Sequence, residues 1–276
     1  MPLDQMDVDK AGTRDLQPAA AEGEMSFLEH LEELRWHLVR SVLSIVIFAI
    51  IVFAAGDWVF DAIILAPKVK SFATYQFICG LSDSLCFFPP QFKLITRQLG
   101  EQFFVHMKVA FFLGLIISFP YIFWEIWRFI KPGLYPEERK AARGMVFICS
   151  TLFILGVLFG YYIIAPFAIT FLASYSVGAE NAPTLASYVS YMTMFTLPTG
   201  LVFELPIIVY FLSRVGLIGP EFMRTYRRHA VVVILLLAAV ITPPDVVTQF
   251  LIGIPLFILY EVSILISARV AKQRAD

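Results

Sequence analysis

The feature that most constrains this chain is a series of apolar stretches separated by polar connections. They lie at about 38–56, 103–127, 145–173, 187–212, 230–241 and 246–268. Because about 20 apolar residues of helix cross a bilayer core, the first four stretches and the last are long enough to span it. The fifth covers only about 18 Å, which favours a re-entrant segment or half of a short hairpin.

The composition excludes a soluble globule and disfavours several functional classes. Hydrophobic residues make up 59% of the chain and charged residues 16%, whereas soluble domains have about 45–50% and about 25%. The net charge of −1 gives no general reason to bind nucleic acid. Three Cys and four His form neither a disulfide scaffold nor an HExxH motif. We predict an all-α polytopic membrane protein with six transmembrane helices, the last two short, without catalytic site, metal or cofactor.

Lysine and arginine are concentrated in alternate connections. They precede stretch one, separate two from three and four from five, and follow stretch six, whereas the third and fifth connections contain none. The first connection has Lys68, Lys70, Lys93 and Arg97, but at about fifty residues it is too long for the charge rule to apply strongly. Cytoplasmic connections are enriched in these residues, so both termini are predicted to be cytoplasmic. Residues 1–24 predict a disordered acidic tail, residues 25–270 the membrane domain, and residues 271–276 a short cytoplasmic tail. The charge pattern leaves open whether segments five and six cross the bilayer.

Several cytoplasmic carboxylates stand in helical patterns. A capping box from Ser26 to Glu29 predicts a helix that begins at Ser26. Glu29 and Glu33 form an i,i+4 like-charge pair, which is unfavourable unless a cation lies between them. Pro136 suits the first position of a later helix, with Glu138 in its first turn. On the residues alone, a solvated face and complementation of the helix dipole are the simpler interpretations.

Polar residues also occur within the apolar stretches. Glu204 lies about 13–14 Å from the basic end of stretch four, where a carboxylate needs a partner, a cavity or a proton. Thr242 and Asp245 flank a tight turn, and Gln249 lies about one turn into the sixth segment. Thr242 and Gln249 can bond a helix of another subunit, while Asp245 can simply cap segment six. Glu261 is a weaker candidate that can pair within the bundle.

Four motifs in register resemble the TatC family of twin-arginine translocase subunits. They are Leu31-Glu-Glu-Leu-Arg35, Trp127-x-Phe129-x-x-Pro132-x-Leu134-Tyr-x-x-Glu138-Arg139, Phe203-Glu204-x-Pro206, and Thr242-Pro-Pro-Asp245 with Gln249. Their order and spacing agree from about residue 26 to 270. The resemblance implies a receptor for the twin-arginine signal peptides of folded export substrates, located in the cytoplasmic membrane of a bacterium and driven by the proton-motive force.

The resemblance also implies residue roles in signal-peptide binding. The loop glutamate of the family matches Glu138, and its N-terminal glutamate matches Glu33. The other implied signal-peptide positions are Glu29, Arg35, Phe129, Pro132, Leu134 and Arg139. Guanidinium binds carboxylate bidentately, which Lys cannot do, so two separate carboxylates can require two arginines.

The sequence departs from the family pattern at two positions. His37 stands where a second basic residue is common, and Glu125 stands where Gln is common. Because Glu125 is flanked by Trp124 and Trp127, we interpret it as an interfacial residue.

The resemblance further implies partner subunits. Glu204, Thr242, Asp245 and Gln249 would contact single-helix subunits of the TatA and TatB type, and the receptor complex would self-associate. The alternative is a secondary transporter or ion channel that uses Glu204 and Asp245 as a proton or cation relay. No internal repeat supports that alternative.

Two cysteines fall in the long first connection, on the side predicted to be outside. An oxidising compartment permits a disulfide between Cys79 and Cys86, and the sequence leaves open whether it forms.

Overall fold

The computed structural model describes residues 27–82, 86–130, 136–176, 178, 181–241 and 246–275, with backbone only for 27–31, 136–143, 241, 246–247 and 274–275. All regular elements among these residues are helices. They are α1 (Phe27–Ala54), α2 (Gly56–Val59), α3 (Ala73–Leu81), α4 (Glu101–Ile130), α5 (Pro136–Phe159), α6 (Ala165–Ser174), α7 (Leu185–Val202), α8 (Leu205–Val215), α9 (Pro220–Thr225), α10 (Arg227–Ile241) and α11 (Val246–Ala275).

Within the described ranges, five helical segments are long and apolar enough to cross a membrane by length and composition. They are Glu32–Ala54, Glu101–Ile130, Gly144–Ser174, Leu185–Val215 and Thr248–Gln273. The 15 residues of α10 cover about 22 Å, less than the roughly 30 Å of a hydrocarbon core. The prediction of an all-α polytopic protein is therefore confirmed, with α10 as its short segment.

The last helix differs from the sequence prediction. The prediction that the last two segments are both short holds for α10 only, because α11 has 30 residues, about 45 Å of helix. It continues through Pro255 and past the boundary predicted at residue 270. α11 packs against α8 and α10, and Ser213 donates a hydrogen bond to Ser267 across the α8 contact (2.8 Å). This packing offsets the helical hydrogen bond that a proline removes.

Two of the apolar stretches are divided within the bundle. A π-helical turn, Gly160–Ile164, joins α5 to α6. α7 and α8 are separated at Phe203 and Glu204, and Pro206 lies in the first turn of α8. Because proline has no N–H, the carbonyl of Val202 loses its helical partner there, and the chain bends at the buried Glu204.

Glycine permits the closest helix contacts. A Cβ on Gly156 of α5 would lie 2.8 Å from the Cα of Gly200 on α7, and one on Gly114 of α4 would lie 2.7 Å from the backbone N of Ala49 on α1. Small residues of this kind let backbones approach in membrane proteins, where packing drives helix association.

The connection between α1 and α4 folds over the end of the bundle where α4 and α7 begin. We call it the outer end, because the charge pattern predicts that it faces away from the cytoplasm. Tyr75 is fully buried there, and its hydroxyl donates to the carbonyl oxygen of Pro67 (2.9 Å). Burial raises the pKa of Tyr75, so the hydroxyl remains a neutral donor. Cys79 and Cys86 form a disulfide in the same connection.

A buried carboxylate fastens two helices at the outer end. Glu101, the first residue of α4, accepts backbone N–H groups from Arg97 (2.7 Å), Gln98 (3.4 Å) and Ala186 of α7 (3.0 Å). Its burial is therefore compensated by hydrogen bonds, and the starts of α4 and α7 are held together.

Candidate functional site

A buried ionisable pair joins α1 to α4 near the end of the bundle opposite the outer end. Nδ1 of His37 lies 2.5 Å from Oε2 of Glu125. His37 is 6% exposed and Glu125 1% exposed. The hydroxyl of Tyr121, one turn earlier on α4, donates to Oε1 of Glu125 (2.8 Å). Both carboxylate oxygens therefore have partners, as burial of such a group requires.

Glu33 lies on the other side of the His37 ring. Its Oε1 is 3.9 Å from Nε2 of His37, and its side chain is 40% exposed. Its Oε2 is shielded from solvent but has no hydrogen-bond partner among the described residues. The ring of Phe129 meets the His37 ring edge-on, with the centroids 6.1 Å apart. His37 thus holds Glu33, Glu125 and Phe129 in one cluster.

The interpretation of Glu125 as only an interfacial residue misses its partner. It is buried and hydrogen-bonded, because α1 packs along α4 and brings together two residues 88 positions apart. A signal was present in the sequence: His37 and Glu125 are its two departures from the family pattern, and together they form an acid–base pair. Read jointly, they predict a contact.

For the other residues expected to bind a signal peptide, the structure describes some side chains, some backbone positions only, and some residues not at all. Arg35 is exposed on α1. Glu29 lies on α1, and Glu138 and Arg139 lie at the start of α5, but only their backbone is described. Pro132 and Leu134 lie outside the described residues. The start of α5 at Pro136 confirms the helix boundary predicted there.

Glu204 occupies the break between α7 and α8 and is buried. The thiol of Cys149 and the backbone of Phe153, both on α5, lie near it. Neither carboxylate oxygen has a hydrogen-bond partner among the described residues. Cys149 also belongs to an apolar cluster with Trp127, Met145 and Ile207. A carboxylate in these surroundings needs a further partner or a proton.

The remaining predicted partner-binding residues lie at the junction of α10 and α11. Thr242 and Asp245 are outside the described residues. The side-chain N–H of Gln249 donates to the carbonyl oxygen of Leu235 on α10 (3.1 Å), so one of its donors is used within the chain. Glu261 pairs with Arg227 at 2.7 Å, which confirms that it binds within the bundle. No group of three or more metal-ligating side chains occurs among the residues described.

Comparison with known proteins identifies the family. The family model "Sec-independent protein translocase protein (TatC)" matches residues 29–255. The TatC of Blattabacterium sp. subsp. Periplaneta americana is 40% identical over 260 residues, covering 91% of this chain and 98% of that protein. The TatC of Campylobacter jejuni is 36% identical over 244 residues, covering 87% and 93%.

A solved structure agrees with the sequence comparisons. A crystal structure of the twin arginine translocase receptor TatC superposes with a TM-score of 0.70 at 33% identity, covering 88% of this chain and 100% of that one. The likeness therefore extends over nearly the whole bundle. The family is a component of a protein translocase, the Tat system, rather than a conventional enzyme. This chain is thus a multi-pass membrane protein that belongs to the TatC family of Sec-independent protein translocase proteins.

Proposed function

We propose that this chain is the signal-peptide-recognising subunit of a Tat translocase in a bacterial cytoplasmic membrane, with both termini in the cytoplasm. The observation that carries the proposal is the state of Glu33. The side chain of Glu33 is 40% exposed beside His37, and its shielded Oε2 lacks a hydrogen-bond partner among the described residues. A rotation of this side chain would present that oxygen to an incoming guanidinium, and no described Lys or Arg pairs with Glu33 and would have to be displaced first.

The pair of His37 and Glu125 acts as the support for this acceptor. The pair anchors the first turns of α1 against the end of α4. In this proposal the anchor fixes the position and orientation of the Glu33 side chain relative to α4. A preorganised carboxylate loses less side-chain entropy when it binds the planar fork of an arginine. The edge-on ring of Phe129 packs against the His37 ring and helps to hold the imidazole that supports Glu33.

The second arginine of the signal is assigned to Glu138. This residue lies in the first turn of α5, after the connection that contains Pro132 and Leu134. Arg139, Glu29 and Arg35 complete the surface in this proposal. Two carboxylates carried by different helices recognise a pair of arginines better than one isolated site does, because the second contact forms at high effective concentration.

The experiment is a crosslinking assay with the full chain in membranes. A signal peptide with an Arg-Arg pair and a photoreactive group is expected to label the region around Glu33 and Glu138, and the Lys-Lys version is not. Glu33→Gln and Glu138→Ala should each reduce labelling strongly. Glu32→Gln is the matched control, because Glu32 is exposed one position from Glu33. Equal labelling of Glu33→Gln and Glu32→Gln would overturn the assignment.

A second role is proposed for Glu204 in docking single-helix partner subunits of the TatA and TatB type. Its two oxygens are buried and lack partners among the described residues, so a polar side chain on a neighbouring transmembrane helix would satisfy them if the break between α7 and α8 opens towards that helix. Such a bond in lipid contributes about 0.6–2 kcal/mol. Thr242, Asp245 and the remaining polar atoms of Gln249 extend this docking in the proposal. Disulfide crosslinking between a cysteine near position 204 and a partner helix tests it, since Glu204→Leu should abolish the crosslink.

The alternative relay of Glu204 and Asp245 predicts a different activity. Proteoliposomes that contain this chain alone would then conduct protons or small solutes, and Glu204→Leu would stop that flux. Proteoliposomes that conduct neither protons nor small solutes would support the translocase assignment. In that assignment the complex self-associates, and the proton-motive force supplies the energy for transport through the assembled complex. Reporter fusions at residue 276 test the predicted cytoplasmic C-terminus.

A further inference from the structure

A groove of about 290 Å³ opens between α4, α5, α7 and the turn after α2. Its wall is formed by aliphatic and aromatic side chains, among them Phe112, Leu158 and Val189. Three of its polar side chains are satisfied by backbone oxygens: Tyr161 donates to Ile63 (2.7 Å), Thr193 to Val189 (2.9 Å) and Thr196 to Met192 (2.9 Å). The wall thus offers these groups no unmet hydrogen bond, which suits an apolar occupant.

Helical spacing puts a lysine one turn from the groove-lining residues of α4. Lys108 is one turn from Phe112 on α4, and its Nζ donates to Oγ of Ser190 on α7 (2.8 Å). Ser190 is next to Val189 and one turn from Thr193, and both of these residues line the groove. The Lys108 ammonium therefore bridges α4 and α7, the two helices that flank the groove on this side. Ser190 in turn donates to the carbonyl of Ala186 (2.7 Å), which fixes the hydroxyl that accepts from Lys108.

The depth of Lys108 matches a headgroup plane. It precedes Arg128 on the same helix by about 20 residues, which is about 30 Å and equals one hydrocarbon thickness. Arg128 lies over the ring of Trp124 (5.7 Å), an arrangement typical of a membrane interface. With Arg128 at one interface, Lys108 falls at the other, and Phe112, Leu113 and Ile116 of the groove lie in the leaflet beneath it.

The charge of Lys108 is available to a ligand. An ammonium has three donors, of which Ser190 takes one. Among the described residues, the ion pairs join His37 to Glu33, His37 to Glu125 and Arg227 to Glu261. Lys108 is in none of them. A phosphate is the anion that lipid places at this depth.

We propose that this groove is a binding site for an anionic phospholipid of the outer-end leaflet, with the phosphate on Lys108 and one acyl chain between α4, α5 and α7. The lipid would fill a gap at a four-element junction and fix the packing of α4 against α7. The site is independent of signal-peptide recognition and lies at the other end of α4.

The test is native mass spectrometry of the full chain in detergent, titrated with phosphatidylglycerol or phosphatidylcholine. The native chain is expected to retain phosphatidylglycerol preferentially. Lys108→Gln should weaken phosphatidylglycerol binding about fivefold and remove the preference, since one lysine near a membrane surface contributes about that factor. The matched control is Lys70→Gln, because Lys70 lies in the first connection over the ring of Phe88. Equal affinities for the two lysine variants would overturn the phosphate contact.

The acyl-chain part is tested separately by filling the groove. Leu158→Trp should weaken binding of both lipids, whereas Leu155→Trp should not. Both leucines are exposed on α5, and only Leu158 lines the groove. Identical binding by these variants would overturn the groove assignment. A benzophenone at position 158 in cells is expected to yield a lipid adduct, and a protein adduct in its place would assign the groove to a partner subunit and refute the proposal.

Discussion

Nδ1 of His37 on α1 lies 2.5 Å from Oε2 of Glu125 on α4, in a contact that is almost closed to solvent. His37 lies one helical turn from Glu33 on α1. Glu125 lies one helical turn from Tyr121 on α4, and the Tyr121 hydroxyl donates to it. The pair therefore links the presentation of Glu33 to the packing of the first two long helices. Changes in this contact should affect both stability and signal-peptide binding.

Removing only one partner of the His37–Glu125 pair should lower the free energy of unfolding. His37→Ala leaves the buried Glu125 carboxylate without its imidazole partner, and an unmet buried polar group costs about 1–3 kcal/mol, or more when it is charged. His37→Ala with Glu125→Leu should recover most of that loss, because no buried charge remains. Denaturant unfolding of the purified chain in detergent measures both, and Glu32→Ala on the exposed face is the control. A double variant as unstable as the sum of the single changes would show that the residues do not interact.

The two buried glutamates Glu101 and Glu204 should respond oppositely to the same substitution. Glu101→Leu removes the acceptor shared by backbone N–H groups at the starts of α4 and α7, so the unfolding midpoint should fall. Glu204→Leu removes a carboxylate without partners among the described residues, so the unfolding midpoint should stay the same or rise. The comparison uses thermal unfolding of the isolated chain. A large loss for Glu204→Leu would reveal a stabilising contact at that site.

The contact between α5 and α7 should not tolerate a single added methyl group. Gly156→Ala places a Cβ against Gly200 and Phe203, and overpacking of this kind costs about 1–3 kcal/mol. Gly144→Ala on the same helix is the matched control, because a Cβ there meets nothing within 4 Å. Since alanine is the better helix former, Gly144→Ala should be neutral or slightly stabilising. Equal unfolding midpoints for the two variants would contradict the close contact.

The disulfide in the first connection should be measurable by thiol labelling. Without reductant, a denatured sample should take one maleimide, at Cys149, because Cys79 and Cys86 are joined. After reduction it should take three. A bond that closes so short a loop contributes about 2 kcal/mol by the loop-entropy model, so Cys79→Ser with Cys86→Ser should lower stability only modestly. Three labels without reductant would exclude the bond.

Much of the architecture follows directly from the one-dimensional pattern. The lengths of the apolar stretches predict the helices, since a bilayer allows few other structures for a spanning backbone. Pro136 marks the start of α5, and Pro206 marks the division of the fourth stretch. These features can be read from the sequence, because the absent N–H of a proline removes a hydrogen bond within the same helix.

The uninterrupted course of the last helix through Pro255 did not follow from the sequence. A proline removes one helical hydrogen bond, but α11 continues over 30 residues while packing against α8 and α10. Packing energy of this kind depends on neighbours that the local sequence does not contain.

Hydropathy, proline placement and motif spacing are local properties, so the membrane class and the order of the helices can be inferred from the residues alone, and a resemblance to a family adds the carboxylates expected to meet a signal peptide. The fold was needed to find that Glu125 is a buried partner of His37, that Glu101 fastens α4 to α7, and that Glu204 lacks a partner among the described residues. These facts depend on distances between helices far apart in the chain. Such distances are set by side-chain packing across helix contacts, as at Gly114 and Gly156.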